Sequence, residues 1–322
     1  MVTGFEHALL LDEKGSANEL TYEQLNNYSN KDGKLWVHFD YKSNEAIDWI
    51  TNKSGIDPIA IEALLTEETR PRTTILGDSI LLALRGVNLN PNSDPEDMVS
   101  IRIFANENLI ISTKRRNLLS VNDVVDYLKK GDGPMSISQI LVELTDRLTS
   151  RMQTVIDEID ERADFLEESL LESKNTALRS EISGIRREAI TLRRYLFPQK
   201  EAMYKLYHDK ITWINDYEKI QLREITDQLI RHIEELDTIK DKVALIQEEL
   251  VNKLSEEMNT KMYVLSIISA IFLPLGFLTG LFGINVGGIP GAENPNSFYI
   301  FIGVLIVLVG IQIVIFKKKK WI

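Results

Sequence analysis

The sequence has no cysteine and only four histidines among its 322 residues. Disulfides and thiolate zinc sites are therefore excluded, and any metal must be met by imidazole, carboxylate, amide or backbone oxygens. No glycine-rich phosphate loop, Ser/His/Asp arrangement or His-x-x-x-His pair is present, so the chain reads as neither an enzyme nor a cofactor binder. Charge is missing too, in two places near the end. Residues 262–282 are 21 in a row without a charge, and 297–316 are 20 more. At about 1.5 Å per helical residue each spans roughly 30 Å, the thickness of a bilayer's hydrocarbon core. Neither has the polar face that a helix at a soluble surface would need.

The loop between them, 283–296, has 14 residues and no Lys or Arg. By contrast, the second span runs directly into Lys317, Lys318, Lys319 and Lys320, and Lys261 precedes the first. The positive-inside rule then puts both termini in the cytoplasm and the loop outside, in a multi-pass membrane protein. Tyr263, Tyr299 and Trp321 suit the bilayer interface. Residues 1–30 lack a positive segment followed by an apolar run, so no cleavable signal is expected.

The net charge of −11 is unevenly spread: −15 up to Met258 and +4 from Asn259 onward. An acidic soluble part repels nucleic acid and anionic surfaces and gathers cations. The expected organisation is an α+β membrane protein with a cytosolic α/β domain at 1–135, a helical region and stalk at 136–258, and a membrane domain at 259–322. Alternating or β-branched runs at 5–12, 34–40, 79–87, 98–105 and 108–113 predict strands. Ser43 and Asp57-Pro58 predict helix starts, and Ser120 to Asp123 reads as a capping box.

Beyond residue 136 the pattern turns helical, with one helix expected at 137–172, a second at 176–207 and a turn near 173–175. The first is dense in acid, among others Asp157, Asp160, Asp164 and Glu168. This reads as a solvated face or as a cation-collecting surface. Pro198 marks a start or a kink. Apolar residues then recur at steps of three and four from Leu222 through Leu236, Val243 and Met258 to Leu265. They predict one helix over 211–282 whose narrow seam faces other copies of the chain. His232 falls in that seam, as a polar register-setting position or as a ring of imidazoles. His208, His232 and the acidic helices are the candidates for a cytosolic metal site.

The first span ends Gly280-Leu-Phe-Gly283-Ile284-Asn285, and the chain ends in four lysines, Trp321 and Ile322. This resembles the CorA superfamily of divalent-cation transporters, which carries Gly-Met-Asn after the first of two C-terminal spans. Ile284 in place of Met, with Gly287-Gly288 following, resembles the zinc-transporting ZntB branch. So do Glu68 to Arg72, Leu84 to Val87 and Arg193 to Gln199. The resemblance implies a funnel-shaped homopentamer with a long helical stalk and the first span lining a pore. It implies Gly283, Ile284 and Asn285 at the outer mouth, and polar pore positions at Asn259 and Ser269. Met262, Leu265 and Leu273 would be hydrophobic constrictions. The cargo implied is a divalent cation, Zn²⁺ by branch, with proton coupling. The partners are the lipid bilayer and further copies of the chain.

Five Asn285 amides would hydrogen-bond the waters of a hydrated ion without stripping them, which is far less costly than direct dehydration. Ser266, on the same helix face, is expected to bond its own backbone instead. A CorA-type Mg²⁺/Co²⁺ channel and a membrane-anchored scaffold or sensor are the competing readings.

Overall fold

A computed structural model describes residues 4–29, 31–67, 70–172, 178–284, 289, 291, 294–319 and 321. The chain divides into two compact units, Met1–Gln247 and Glu248–Ile322.

The first unit opens with a seven-stranded sheet. Its strands are β1 (Phe5–Leu11), β2 (Ala17–Glu19), β3 (Leu35–Asp40), β4 (Arg72–Leu76), β5 (Ser79–Gly86), β6 (Val99–Ala105) and β7 (Leu109–Lys114). They lie in the order β2-β1-β3-β7-β6-β5-β4. Only β3 and β7 pair in parallel; every other neighbour is antiparallel. Helices α1 (Tyr22–Asn26), α2 (Asn44–Asn52) and α3 (Pro58–Leu65) cover one face, where Trp49, Ile50 and Leu64 pack on Val37, Phe39 and Ile111. α4 (Leu119–Lys130), α5 (Ile137–Glu172) and α6 (Leu178–His208) supply the other layer. A sheet covered on both sides needs strands that are apolar throughout, which is why β3 reads Leu-Trp-Val-His-Phe with all five residues buried. α5 packs tightly over Gly86, where a Cβ would lie 2.7 Å from a Leu148 methyl.

The five expected strands are present. β2 and β4 were not expected, because three residues at one edge and Arg-Thr-Thr at the other carry little apolar alternation. Ser43 and Asp57 cap α2 and α3 as anticipated. Ser120 does not cap α4: that helix begins two residues earlier, from Leu118 with no side-chain cap, and Ser120 is buried inside it. Packing of Leu118 and Val121 in the core outweighs the cap. Pro198 neither starts nor ends a helix; it lies within α6.

The long helix α7 (Asp216–Phe282, 67 residues) begins five residues later than expected. Trp213 is held by donating to the Asp78 carbonyl at 2.6 Å. Asn215 and Glu218 then form a reciprocal cap, each accepting from the other's backbone N–H at 2.9 and 3.0 Å. The stripe from Leu222 to Ile246 is fully buried within the chain itself, so this stretch is not a seam between copies. Side-chain bonds to both neighbours frame it: Ser138 and Gln153 of α5 to Glu218 and Glu235, Arg186 and Arg193 of α6 to Gln247 and Asp237. His232 accordingly lies in the subunit's own interior at 0 % exposure, with Glu235 3.5 Å away. Burial holds its pKa below the usual value, although the Glu235 carboxylate opposes that. Periodicity had shown an apolar face correctly and assigned it to the wrong partner.

The second unit comprises the remainder of α7 and α8 (Ser297–Lys318).

A candidate ion pathway in the helical hairpin

Among the described residues, α7 and α8 are the two helices long and apolar enough to cross a membrane, and neither apolar window has a buried side chain. Without water, a spanning helix must close its backbone hydrogen bonds internally. The hydroxyls of the first span add to that closure. Ser266 Oγ donates to the Met262 carbonyl at 2.8 Å, as expected, and Ser269 Oγ to the Leu265 carbonyl at 2.9 Å. Both keep lone pairs for an outside donor such as water.

The candidate residues share one side of α7. At 3.6 residues per turn, Asn259, Met262, Leu265, Ser269 and Leu273 fall within an arc of about 120°. All five are exposed, Leu273 at 72 %. The half-buried positions, among them Ile267, Ala270, Ile271, Pro274 and Leu278, lie on the other side. There Gln312 of α8 donates to the Ala270 carbonyl at 3.2 Å. The spacing of polar residues along the first span gave no hint of Gln312. A lone amide inside α8 is the signal that would have found it.

At the end of α7, Gly283 N–H turns back to the Gly280 carbonyl at 3.2 Å. A Cβ on Gly283 would come within 2.8 Å of the Thr279 carbonyl oxygen, so a side chain there would collide with the last helical turn. Ile284 follows, half exposed at 49 %. Asn285, with Gly287, Gly288 and Glu293, lies outside the described residues. At the other end of the hairpin, Tyr263 OH donates to the Trp321 carbonyl, and Trp321 stacks on Phe316 at 5.6 Å. Aromatic and lysine side chains thus cluster where α8 meets its basic tail, as membrane anchors do.

In the first unit, the acid row of α5 is partly neutralised by its neighbours. Lys242 of α7 bridges Asp160 and Asp164 at 2.7 and 2.6 Å, while Arg162, within the same row, pairs with Glu188 of α6 at 2.7 Å. Among the described residues no three of His, Asp and Glu come together to hold a metal. The remaining candidate, His208, stacks on Tyr204 at 5.3 Å.

Comparison with known proteins extends these observations. Residues 31–318 match the family described as CorA-like Mg²⁺ transporter protein. The chain is 36 % identical over 320 residues to the zinc transport protein ZntB of Pectobacterium carotovorum, covering 99 % of this chain and 96 % of that one. It is 39 % identical over 290 residues to the divalent cation transporter CmaX of Pseudomonas aeruginosa, covering 89 % and 87 %. The solved structure of full-length CmaX superposes with a TM-score of 0.86 at 35 % identity, over 99 % of this chain and 98 % of that one. The relatives' names differ in the metal they give, but family match and full-length similarity agree: this chain belongs to the CorA-like family.

Proposed function

We propose that this protein transports divalent cations across a bacterial inner membrane, with Zn²⁺ as the cargo. The observation that carries the reading is the exposed arc from Asn259 to Leu273. It combines amide and hydroxyl oxygens with Met and Leu on the side of α7 away from α8, and the helix that bears it ends at Gly283 and Ile284. An arc that sets an amide and a hydroxyl among apolar side chains is ill-suited to lipid and fits a lining between copies of the chain, and the family favours five around a central pore. Asn259 and Asn285 would then offer rings of amide oxygens to a hydrated ion, while Met262, Leu265 and Leu273 would narrow the path between them. Neutral oxygens hold the water shell without stripping it, and hydrophobic constrictions gate by dewetting. Residues 259–322 form the membrane domain, 136–258 the helical stalk and 1–135 the cytosolic α/β domain. Both termini lie in the cytoplasm, because the lysines sit at the outer ends of the hairpin and the loop has none.

Zinc is favoured by the ZntB relatives, and a proton gradient is the proposed driving force. Neither spanning stretch has a carboxylate or histidine to carry a proton, so coupling would rest on groups outside them. The test is flux of Zn²⁺, Mg²⁺ and Co²⁺ into proteoliposomes, each with and without an inward proton gradient. Zn²⁺ uptake that grows with the gradient is expected, and Asn285→Ala should abolish it while leaving the oligomer intact. Gradient-independent Mg²⁺ flux would reassign the protein to channels for that ion. Undiminished uptake by Asn285→Ala would remove the amide ring from the mechanism.

A further inference from the structure

Pro274 lies inside α7, in the stretch that would cross the membrane. In an unbroken helix its N–H would bond the carbonyl four residues back, that of Ala270. Proline has no N–H, and its ring crowds that same carbonyl, which predisposes the helix to bend there and sets one acceptor free. In hydrocarbon no water can take the missing donor's place.

The donor comes from α8. Gln312 has the only amide side chain of that helix, and its Nε2 lies 3.2 Å from the Ala270 oxygen. Its other end, Oε1, is buried and meets no donor among the described residues. A glutamine within an apolar helix is costly to place, and half of its hydrogen-bonding capacity here goes unused. The half that is used reaches the one backbone oxygen of α7 whose helical donor Pro274 removes. The two facts are independent: the offset of four residues follows from helix geometry, the 3.2 Å contact from the packing of a different helix.

We propose that Gln312 is a positioning residue for transport, replacing across the helix pair the hydrogen bond that Pro274 deletes and thereby fixing the bend of α7. The proposal rests on the transport reading above. Leu273 and Ser269 lie just before the bend on the exposed arc, and residues 275–283 carry Gly283 beyond it. With Gln312 in place the two segments keep one bearing to each other. Without it the Ala270 carbonyl seeks another donor through local rearrangement of the helix, and the segment leading to Gly283 loses its fixed direction.

The experiment is a double-mutant cycle on full-length protein in proteoliposomes. Gln312→Met keeps the length of the side chain and removes the donor. It should lower the maximal rate of Zn²⁺ uptake about threefold to twentyfold, the range to which interhelical hydrogen bonds in membrane proteins convert. The half-saturating concentration should stay unchanged, because no ion-contacting group is altered. Pro274→Ala restores the helix's own bond to Ala270, and in that background Gln312→Met should have no further effect. The second readout needs no transport. The chain has no cysteine, so Val264→Cys and Phe277→Cys give spin labels on either side of the bend without background. With labelled subunits diluted among unlabelled ones, the label-to-label distance distribution should broaden in Gln312→Met and stay narrow when Pro274→Ala is also present. Additive rate effects would overturn the proposal, and so would an unbroadened distribution in Gln312→Met, whatever its flux. If Gln312→Met fails to assemble alone, the pair with Pro274→Ala should assemble, and failure of both rejects the compensation. Absence of flux from the native protein would sink the transport reading, while the distance measurement would still decide the clamp.

Discussion

Leu, Ile and Val behave in opposite ways in the two units. In Met1–Gln247 they are hidden by the chain itself: Leu35, Val37, Ile101 and Ile110 are inaccessible, and the α7 stripe is covered from Leu222 to Ile246. Polar groups among them are mostly paired, as where Trp36 Nε1 and His38 Nδ1 share the Ser112 hydroxyl at 2.8 and 2.7 Å. In Glu248–Ile322 the same residue types stand open, Leu254 at 53 %, Leu265 at 64 % and Ile306 at 67 %. The first unit is stabilised by its own apolar burial; the second leaves that surface uncovered by its own chain. One helix, α7, contains both regimes in a single uninterrupted pattern.

Cutting the same type of side chain in each regime should separate them. Leu236→Ala removes a fully buried residue of α7 and should destabilise the subunit by about 2–5 kcal/mol, measured by denaturant unfolding of the detergent-solubilised protein. If the cost were nearer that of a surface change, the stripe would have to be covered by something other than its own chain. Leu254→Ala with Met258→Ala, further along the helix and exposed, should change subunit unfolding by no more than about 0.5 kcal/mol each. The proposed assembly should weaken instead, read as subunit loss by native mass spectrometry. An unchanged oligomer would show that copies meet elsewhere.

Much of this was legible because it is local or strongly periodic. The helix Ile137–Glu172 follows from its apolar spacing, and β5, β6 and β7 from short alternating or β-branched runs. The hidden parts depend on contacts between distant residues. Periodicity shows that Leu222 to Ile246 form an apolar face, yet says nothing of whether α5 and α6 or another copy covers it. The start of α7 was visible in principle, since Asn215 and Glu218 have capping-box spacing, yet the expected helix was begun at 211, before it. In the candidate pathway, the shared arc of Asn259, Met262 and Ser269 is arithmetic on the sequence. The crowding of Gly283 against the Thr279 carbonyl and the reach of Gln312 to Ala270 require coordinates. Asn285, on which the outer-mouth reading turns, lies outside the described residues.

The smallest effect sharpens the comparison through protons. His38 is wholly buried, and burial first, the Lys114 ammonium second, hold its pKa well below the ordinary 6.5. Glu6 does not reverse this: it lies 3.8 Å from Nε2 and is itself bonded by Lys114 at 2.6 Å. Burial lowers the pKa of His7 and of His232 as well. Each of these rings is harder to protonate in the folded chain than in the unfolded one, whose imidazoles take a proton once the pH is below about 6.5. The unfolded state then binds more protons, so stability is complete above that pH and declines as the pH falls through it. Carboxylates held low by lysine or arginine, such as Asp237 beside Lys240 and Arg193, lose their contribution only below the ordinary carboxylate range. From pH 6.5 down to about 5 the histidines therefore set the fall, opposed by Asp146, whose carboxyl burial and the nearby Glu143 hold above its ordinary value. The unfolding midpoint should fall across it, and His38→Gln, whose amide can still meet Ser112, should flatten the fall. Leu273→Ala should leave it untouched, because nothing in 262–282 titrates between pH 5 and 8. A pH dependence that persists in His38→Gln and disappears in Leu273→Ala would place the titrating group in the hairpin and erase the distinction between the units.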